Sequence, residues 1–219
     1  MSTGSSASAK AEILRRIRAA MGRTSDEDAA RAGWSGLARE YRRGTAREHE
    51  AAVELLEDRL RDYDAHVMRV GETAVAATVS RLLQERGKKR IVVPMGFAAE
   101  WLPGGFEFVV DEGLTATELD EFDGVMTGAT LAIAETGTVV LQSVSGQGRR
   151  ALTLVPDYHL CVVLARDVVA TVPDAMARLQ ETARLATTFI SGPSATADIE
   201  MTRIKGVHGP RYLDVILAG

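Results

Sequence analysis

Residues 124–142, Gly124-Val125-Met126-Thr127-Gly128-Ala129-Thr130-Leu131-Ala132-Ile133-Ala134-Glu135-Thr136-Gly137-Thr138-Val139-Val140-Leu141-Gln142, decide the fold. Gly124 to Thr127 begins an apolar strand. Residues 131–135 and 138–142 are two more strand-like runs joined by Thr136-Gly137, which reads as a β-hairpin. Before this stretch the chain alternates, with strands expected at 65–70, 90–94 and 106–110 and helices at 72–86 and 115–122. After it come a strand at 160–164, a helix at 173–186, a strand at 188–190 and a last strand at 213–217. Strand–helix alternation argues for a largely parallel sheet covered on both faces. The fold class is therefore α/β, an open, mostly parallel sheet with a β-hairpin insertion.

Toward the N-terminus the pattern weakens. Residues 1–8 are small and polar and are expected to form a disordered tail. Residues 9–21 have helical spacing, with Ile13, Leu14 and Ile17 on one side. Residues 24–44 are charged and broken by Gly33, Gly36 and Gly44, so they read as a connector with Trp34 and Tyr41 available to dock it. A helix is expected over 45–63, opened by the capping box Thr45-x-x-Glu48. This divides the chain into an N-terminal tail, helix and connector (1–44) and one domain (45–219).

Bulk properties narrow the function. The chain has 219 residues, 46% of them hydrophobic, and a net charge of −4, so charge-driven binding to nucleic acid is not indicated. A lone cysteine, Cys161, excludes an internal disulfide framework and a thiolate metal cluster, and fits a reducing, cytoplasmic setting. No apolar stretch approaches the roughly twenty residues that span a bilayer.

Several segments carry candidate chemistry. If the strand continues to Glu135, that carboxylate shares a face with Leu131 and Ile133. A carboxylate there must be paired, hydrated in a cleft or protonated, which makes it a candidate base, nucleophile or ligand contact, with Thr136, Gly137 and Thr138 as a turn of hydroxyls beside it. The alternative is a strand that has ended and a solvated turn. Gly146-x-Gly148-x-x-Ala151 matches a dinucleotide fingerprint, but Pro156 leaves too little helix after it, and the segment follows a hairpin. It reads instead as an anion-binding loop with Arg149 or Arg150, or as a surface loop. His159 precedes a buried strand and lines a cleft or caps the sheet, the second being the plainer reading.

The segment Gly192-Pro193-Ser194-Ala195-Thr196-Ala197-Asp198-Ile199-Glu200, with Gly206-Val207-His208-Gly209-Pro210 after it, gathers hydroxyls, acids and a histidine between two buried strands. Ser194 or Thr196 is expected to cap a short helix running through Ile199, with Asp198 and Glu200 near its N-terminal half. Gly206 and Gly209 bracket His208 and permit positive φ there. Ser194, Thr196, Asp198, Glu200 and His208 are thus expected to form one pocket wall, with the Glu135 hairpin opposite. The spacing of the acids and the histidine matches no standard metal motif, so no metal is expected.

Three stretches, residues 124–141 (GVMTGATLAIAETGTVVL), 150–163 (RALTLVPDYHLCVV) and 191–217 (SGPSATADIEMTRIKGVHGPRYLDVIL), closely resemble the LUD domain family. The resemblance implies a fold like the sugar-phosphate isomerase and CoA-transferase group, with ligands at strand ends. It implies a link to a bacterial system that oxidises L-lactate to pyruvate alongside iron–sulfur partner proteins. No cofactor is expected in this chain, and the clusters belong to the partners, because one cysteine cannot ligate a cluster. The reading is an accessory or ligand-binding subunit, not a redox catalyst by itself, with Arg149 or Arg150 offsetting the charge of a small anionic ligand. The alternatives are a stand-alone isomerase or acyl-transfer enzyme using Glu135, suggested by the glutamate nucleophile of CoA-transferases, and a non-catalytic scaffold.

Overall fold

The computed structural model describes residues 4–21, 26–38, 40, 47–196, 204–206 and 208–219. The chain divides into two compact units, Met1–Tyr41 and Arg42–Gly219. The first carries helices α1 (Gly4–Met21) and α2 (Glu27–Ser35). Both depart from expectation. α1 begins inside the stretch expected to be a tail, and α2 lies inside the expected connector. Asp26 supplies what the connector reading overlooked: its carboxylate accepts the N–H groups of Asp28 and Ala29 and caps α2.

The second unit runs α3 (His49–Asp62), β1 (His66–Val70), α4 (Val75–Glu85), β2 (Arg90–Pro94), β3 (Glu107–Asp111), α5 (Ala116–Asp120), β4 (Gly124–Gly128), β5 (Leu131–Ile133), β6 (Thr138–Gln142), β7 (Tyr158–Leu164), β8 (Val168–Val169), α6 (Val172–Leu179), β9 (Thr187–Ile190), β10 (Ala195–Thr196), β11 (Ile204–Lys205) and β12 (Tyr212–Ala218). α3 starts without a side-chain cap at Glu48, and Thr45 of the expected capping box lies outside the described residues. The capping boxes observed are Thr115 with Glu118 on α5 and Thr171 with Asp174 on α6.

Six strands form one sheet in the order β1-β12-β7-β4-β2-β3, every neighbour parallel. The hairpin β5–β6 does not insert into this sheet. It is the centre of a second sheet, β8-β5-β6-β9, in which β9 runs antiparallel to β6. The strand expected at 188–190 is present and lies in this second sheet. β8 was missed, because two valines are too short a run to show a period.

Pleating sorts the core. α3 buries Val53, Leu56 and Leu60, a helical i, i+3, i+7 stripe, against Val67, Cys161, Val163, Val215 and Leu217 of the main sheet and Ala132, Val139 and Leu141 of the second. α4 covers the other face of the main sheet, with Val75, Val79, Leu82 and Leu83 on Ile91, Val93, Met126, Leu160 and Ile216. α6 closes the far face of the hairpin sheet with Ala175 and Leu179 on Leu131, Ile133 and Val140. No helix among the described residues is long and apolar enough to cross a membrane.

Candidate functional site

The site grows from the first residues of β7 and β12. These strands pair in register, Tyr212 with Tyr158, Leu213 with His159 and Asp214 with Leu160. Asp157 and Arg211 lock that register from outside. The guanidinium donates to both carboxylate oxygens at 2.7 Å, and the Arg211 N–H donates to Oδ1 at 3.3 Å. The guanidinium holds the Asp157 carboxyl below its usual range.

Successive side chains then alternate faces. On the α4 face, Tyr158 donates to Asp214 Oδ2 at 2.9 Å and Arg86 donates to Asp214 Oδ1 at 2.5 Å. Asp214 is wholly buried, and those donors satisfy its carboxylate oxygens. Burial, with the neighbouring Asp214 carboxylate, keeps the Tyr158 phenol protonated far above its ordinary range. On the opposite face, His159 and Leu213 open onto a cavity of about 150 Å³.

Three further segments wall that cavity: Arg150 and Thr153, residues 188–194, and His208 with Pro210. A short 3-10 turn, Arg150–Thr153, replaces the long helix a dinucleotide site requires, as Pro156 predicts. Arg150 Nη1 donates to the Thr153 carbonyl at 2.8 Å and to its hydroxyl at 3.0 Å, and Nη2 donates to the His208 carbonyl at 3.5 Å. No carboxylate among the described residues pairs with Arg150. Ser194 ties the loops together: its N–H donates to Pro210 O (2.8 Å), its carbonyl accepts Gly206 N–H (3.1 Å), and its Oγ accepts His208 N–H (2.9 Å). Gly206 and Gly209 do adopt positive φ, +88° and +146°, so the bracket about His208 is real geometry.

His159 is 1% exposed. Its Nε2 lies 2.7 Å from Thr127 Oγ1, which in turn reaches Cys161 Sγ at 3.7 Å. Burial first, and Arg150 second, hold the imidazole down to about 3, so it is neutral at pH 7. Burial pushes the Cys161 thiol up to about 12, which makes it a poor nucleophile.

The structure disperses several of the expected residues. Strand β5 ends at Ile133, and Glu135 is an exposed turn residue that does not line the cavity. Arg150, Thr153 and His159 share the cavity with Ser194 and His208, and the expected Glu135 wall does not. A hydroxyl chain links the hairpin turn to the cavity: Thr136 Oγ1 to Thr138 Oγ1 at 2.7 Å, then to Ser191 Oγ at 2.7 Å. Gly137 is needed at that turn, with φ +57° and a Cβ that would meet the Arg59 backbone at 2.8 Å. Arg149 and Arg150 part company. Arg149 pairs with Asp111 at 2.7 Å and 2.9 Å beside a separate, largely apolar cavity at the carboxyl ends of β2 and β3. Ser194 opens no helix among the described residues: Ala195–Thr196 pairs with Ile204–Lys205 as a short antiparallel ribbon. Asp198 and Glu200 lie outside the described residues. His159 is the residue sequence reasoning undervalued. The strand begins at Tyr158, two residues earlier than its apolar run, and the periodicity Tyr158-Leu160-Val162 against His159-Cys161-Val163 was the available signal.

The chain is similar to known proteins in sequence and in fold. A family model described as the LUD domain matches residues 38–218. The chain is 42% identical over 166 residues to Lactate utilization protein C of Deinococcus radiodurans, covering 74% of this chain and 77% of that protein. It is 40% identical over 106 residues to Lactate utilization protein C of Bacillus pumilus, covering 46% and 43%. The crystal structure of a DUF162 family protein from Deinococcus radiodurans superposes with a TM-score of 0.69 at 34% identity, over 79% of this chain and 99% of that one. Matched by its family model across the whole sheet and by a relative over three quarters of its length, the chain belongs to the LUD domain family.

Proposed function

We propose that this protein is an accessory, ligand-binding subunit of a system that oxidises L-lactate to pyruvate, and that iron–sulfur partner proteins carry the electrons. The observation that supports a ligand-binding role is Arg150. It is a guanidinium fixed by Thr153 in a cavity of about 150 Å³, and no carboxylate among the described residues neutralises it. A cavity of about this volume is large enough for a small organic molecule, the scale of a small carboxylic acid. An arginine is the side chain best suited to a carboxylate. The names of the 42% and 40% identical relatives supply the lactate context. Two-electron oxidation needs an acceptor, and the single, buried Cys161 cannot supply the thiolates of a cluster, so the electron carriers are assigned to partners.

Deletion of the gene tests this reading. Growth on L-lactate is expected to fail and to return with the wild-type chain but not with Arg150→Ala. Affinity capture of the tagged chain from lactate-grown cells is expected to bring down iron–sulfur proteins. Normal growth of the deletion strain on L-lactate, with no such capture, rejects the assignment.

A further inference from the structure

The second polar wall of the cavity, His159, ends a short chain of hydrogen-bonding groups. Cys161 Sγ lies 3.7 Å from the carbonyl oxygen of Gly128, and Thr127 Oγ1 lies 3.7 Å from that same sulfur. All three contacts of the chain are satisfied together when the thiol hydrogen points to the Gly128 carbonyl, which only accepts. The Thr127 hydroxyl hydrogen then points to the sulfur. In that arrangement the remaining contact in the chain, His159 Nε2 to Thr127 Oγ1 at 2.7 Å, has the ring N–H as donor. A neutral imidazole with its hydrogen on Nε2 has a bare lone pair on Nδ1. Nothing among the described residues donates to that nitrogen, although the ring is 1% exposed and lines the cavity. A buried acceptor without a donor is a costly arrangement that a ligand can relieve.

We infer that the cavity is a 2-hydroxycarboxylate subsite, in which Arg150 takes the carboxylate and His159 Nδ1 accepts the hydrogen of the adjacent hydroxyl. This rests on the reading of the Arg150 cavity as the ligand site. The recognition is directional. A 2-oxo acid places a carbonyl lone pair against the Nδ1 lone pair, and an unsubstituted acid has no hydrogen to give. A 2-ammonio acid carries a donor but brings a second cation beside Arg150. The site thus holds the reduced side of a hydroxy-acid/oxo-acid couple in preference to the oxidised side. Thr127 is a positioning residue, because it touches the imidazole and not the ligand.

Calorimetry on the full chain with L-lactate, propionate, pyruvate and L-alanine tests the inference. The wild type is expected to bind L-lactate at least about tenfold more tightly than propionate or pyruvate, since a site built for a hydroxyl rejects analogues that lack it. His159→Phe should bring lactate down to the level of propionate and erase the preference for the hydroxy acid, whereas Arg150→Met should weaken all the acids together. Independently of any ligand, nitrogen-detected NMR of the wild type should show His159 neutral with its hydrogen on Nε2. A hydrogen on Nδ1, or equal binding of lactate, pyruvate and propionate that Arg150→Met still abolishes, overturns the hydroxy-acid assignment and leaves the cavity as a carboxylate site. Failure of every acid to bind the wild type removes the cavity reading itself.

Discussion

Ser194 Oγ accepts the backbone N–H of His208 at 2.9 Å, across a separation of fourteen residues. The same residue's N–H and carbonyl engage Pro210 and Gly206. One residue, through its backbone and its hydroxyl, therefore ties down the turn that carries His208 and the carbonyl to which Arg150 donates. Ser194→Ala keeps both backbone bonds and removes only the hydroxyl. It is expected to lower unfolding stability by about 1 kcal/mol and to weaken carboxylate binding several-fold, with Ser194→Thr restoring much of both. Urea titration and calorimetry read the two effects.

The paired arginines should separate cleanly. Arg149→Ala leaves the Asp111 carboxylate, whose side chain is 5% exposed, with only the Gly113 and Leu114 amides. Stability should fall by about 1–2 kcal/mol, a buried-pair cost reduced by the exposure of Arg149, while binding at the Arg150 cavity stays at the wild-type level. Arg150→Ala should do the reverse. Equal effects of both variants on binding would show that the cavities act as one site.

Asp214 is wholly buried and depends on Arg86 and Tyr158. Arg86→Met strands that carboxylate at the start of β12, and a loss of about 3 kcal/mol is expected in chemical denaturation. Asp214→Asn in the same chain should recover part of the loss, because a neutral amide tolerates burial where a carboxylate does not. A double variant no more stable than Arg86→Met contradicts the account.

His159 should make the fold acid-labile. Its imidazole protonates near 6.5 when the chain is unfolded but only near 3 when folded. Between those values the unfolded state binds more protons, so stability is full above about pH 6.5 and is lost as pH falls toward 3, by up to about 1.4 kcal/mol per pH unit. The Asp111 and Asp157 carboxylates, both held low by arginines, add their losses only at lower pH. Urea midpoints from pH 7 to 5 check the slope, which His159→Phe should flatten.

Much of this architecture could be read from residue order. The apolar runs 90–94 and 138–142 became β2 and β6 with the expected bounds. Thr136-Gly137 did form the hairpin turn, and the long GPSxTADIE and GVHGP motifs pointed to the family. Those features are local: they depend on the period of a few side chains or on the conformational freedom of one glycine. The strand starting at Tyr158 was harder, because a tyrosine and a histidine look like a surface edge until Asp214 and Thr127 satisfy them.

Residue order alone determined the α/β class, the parallel alternation, the hairpin and the family, since each is written in neighbouring side chains. Only the tertiary structure decided the composition of the cavity. Register pairs Leu213 with His159 and β9 with β6, and the pleat then turns every second residue to one face. That geometry brings Arg150 to His208 and Thr138 to Ser191 and leaves Glu135 in solvent. No local pattern encodes it, because the contacts join residues more than fifty positions apart.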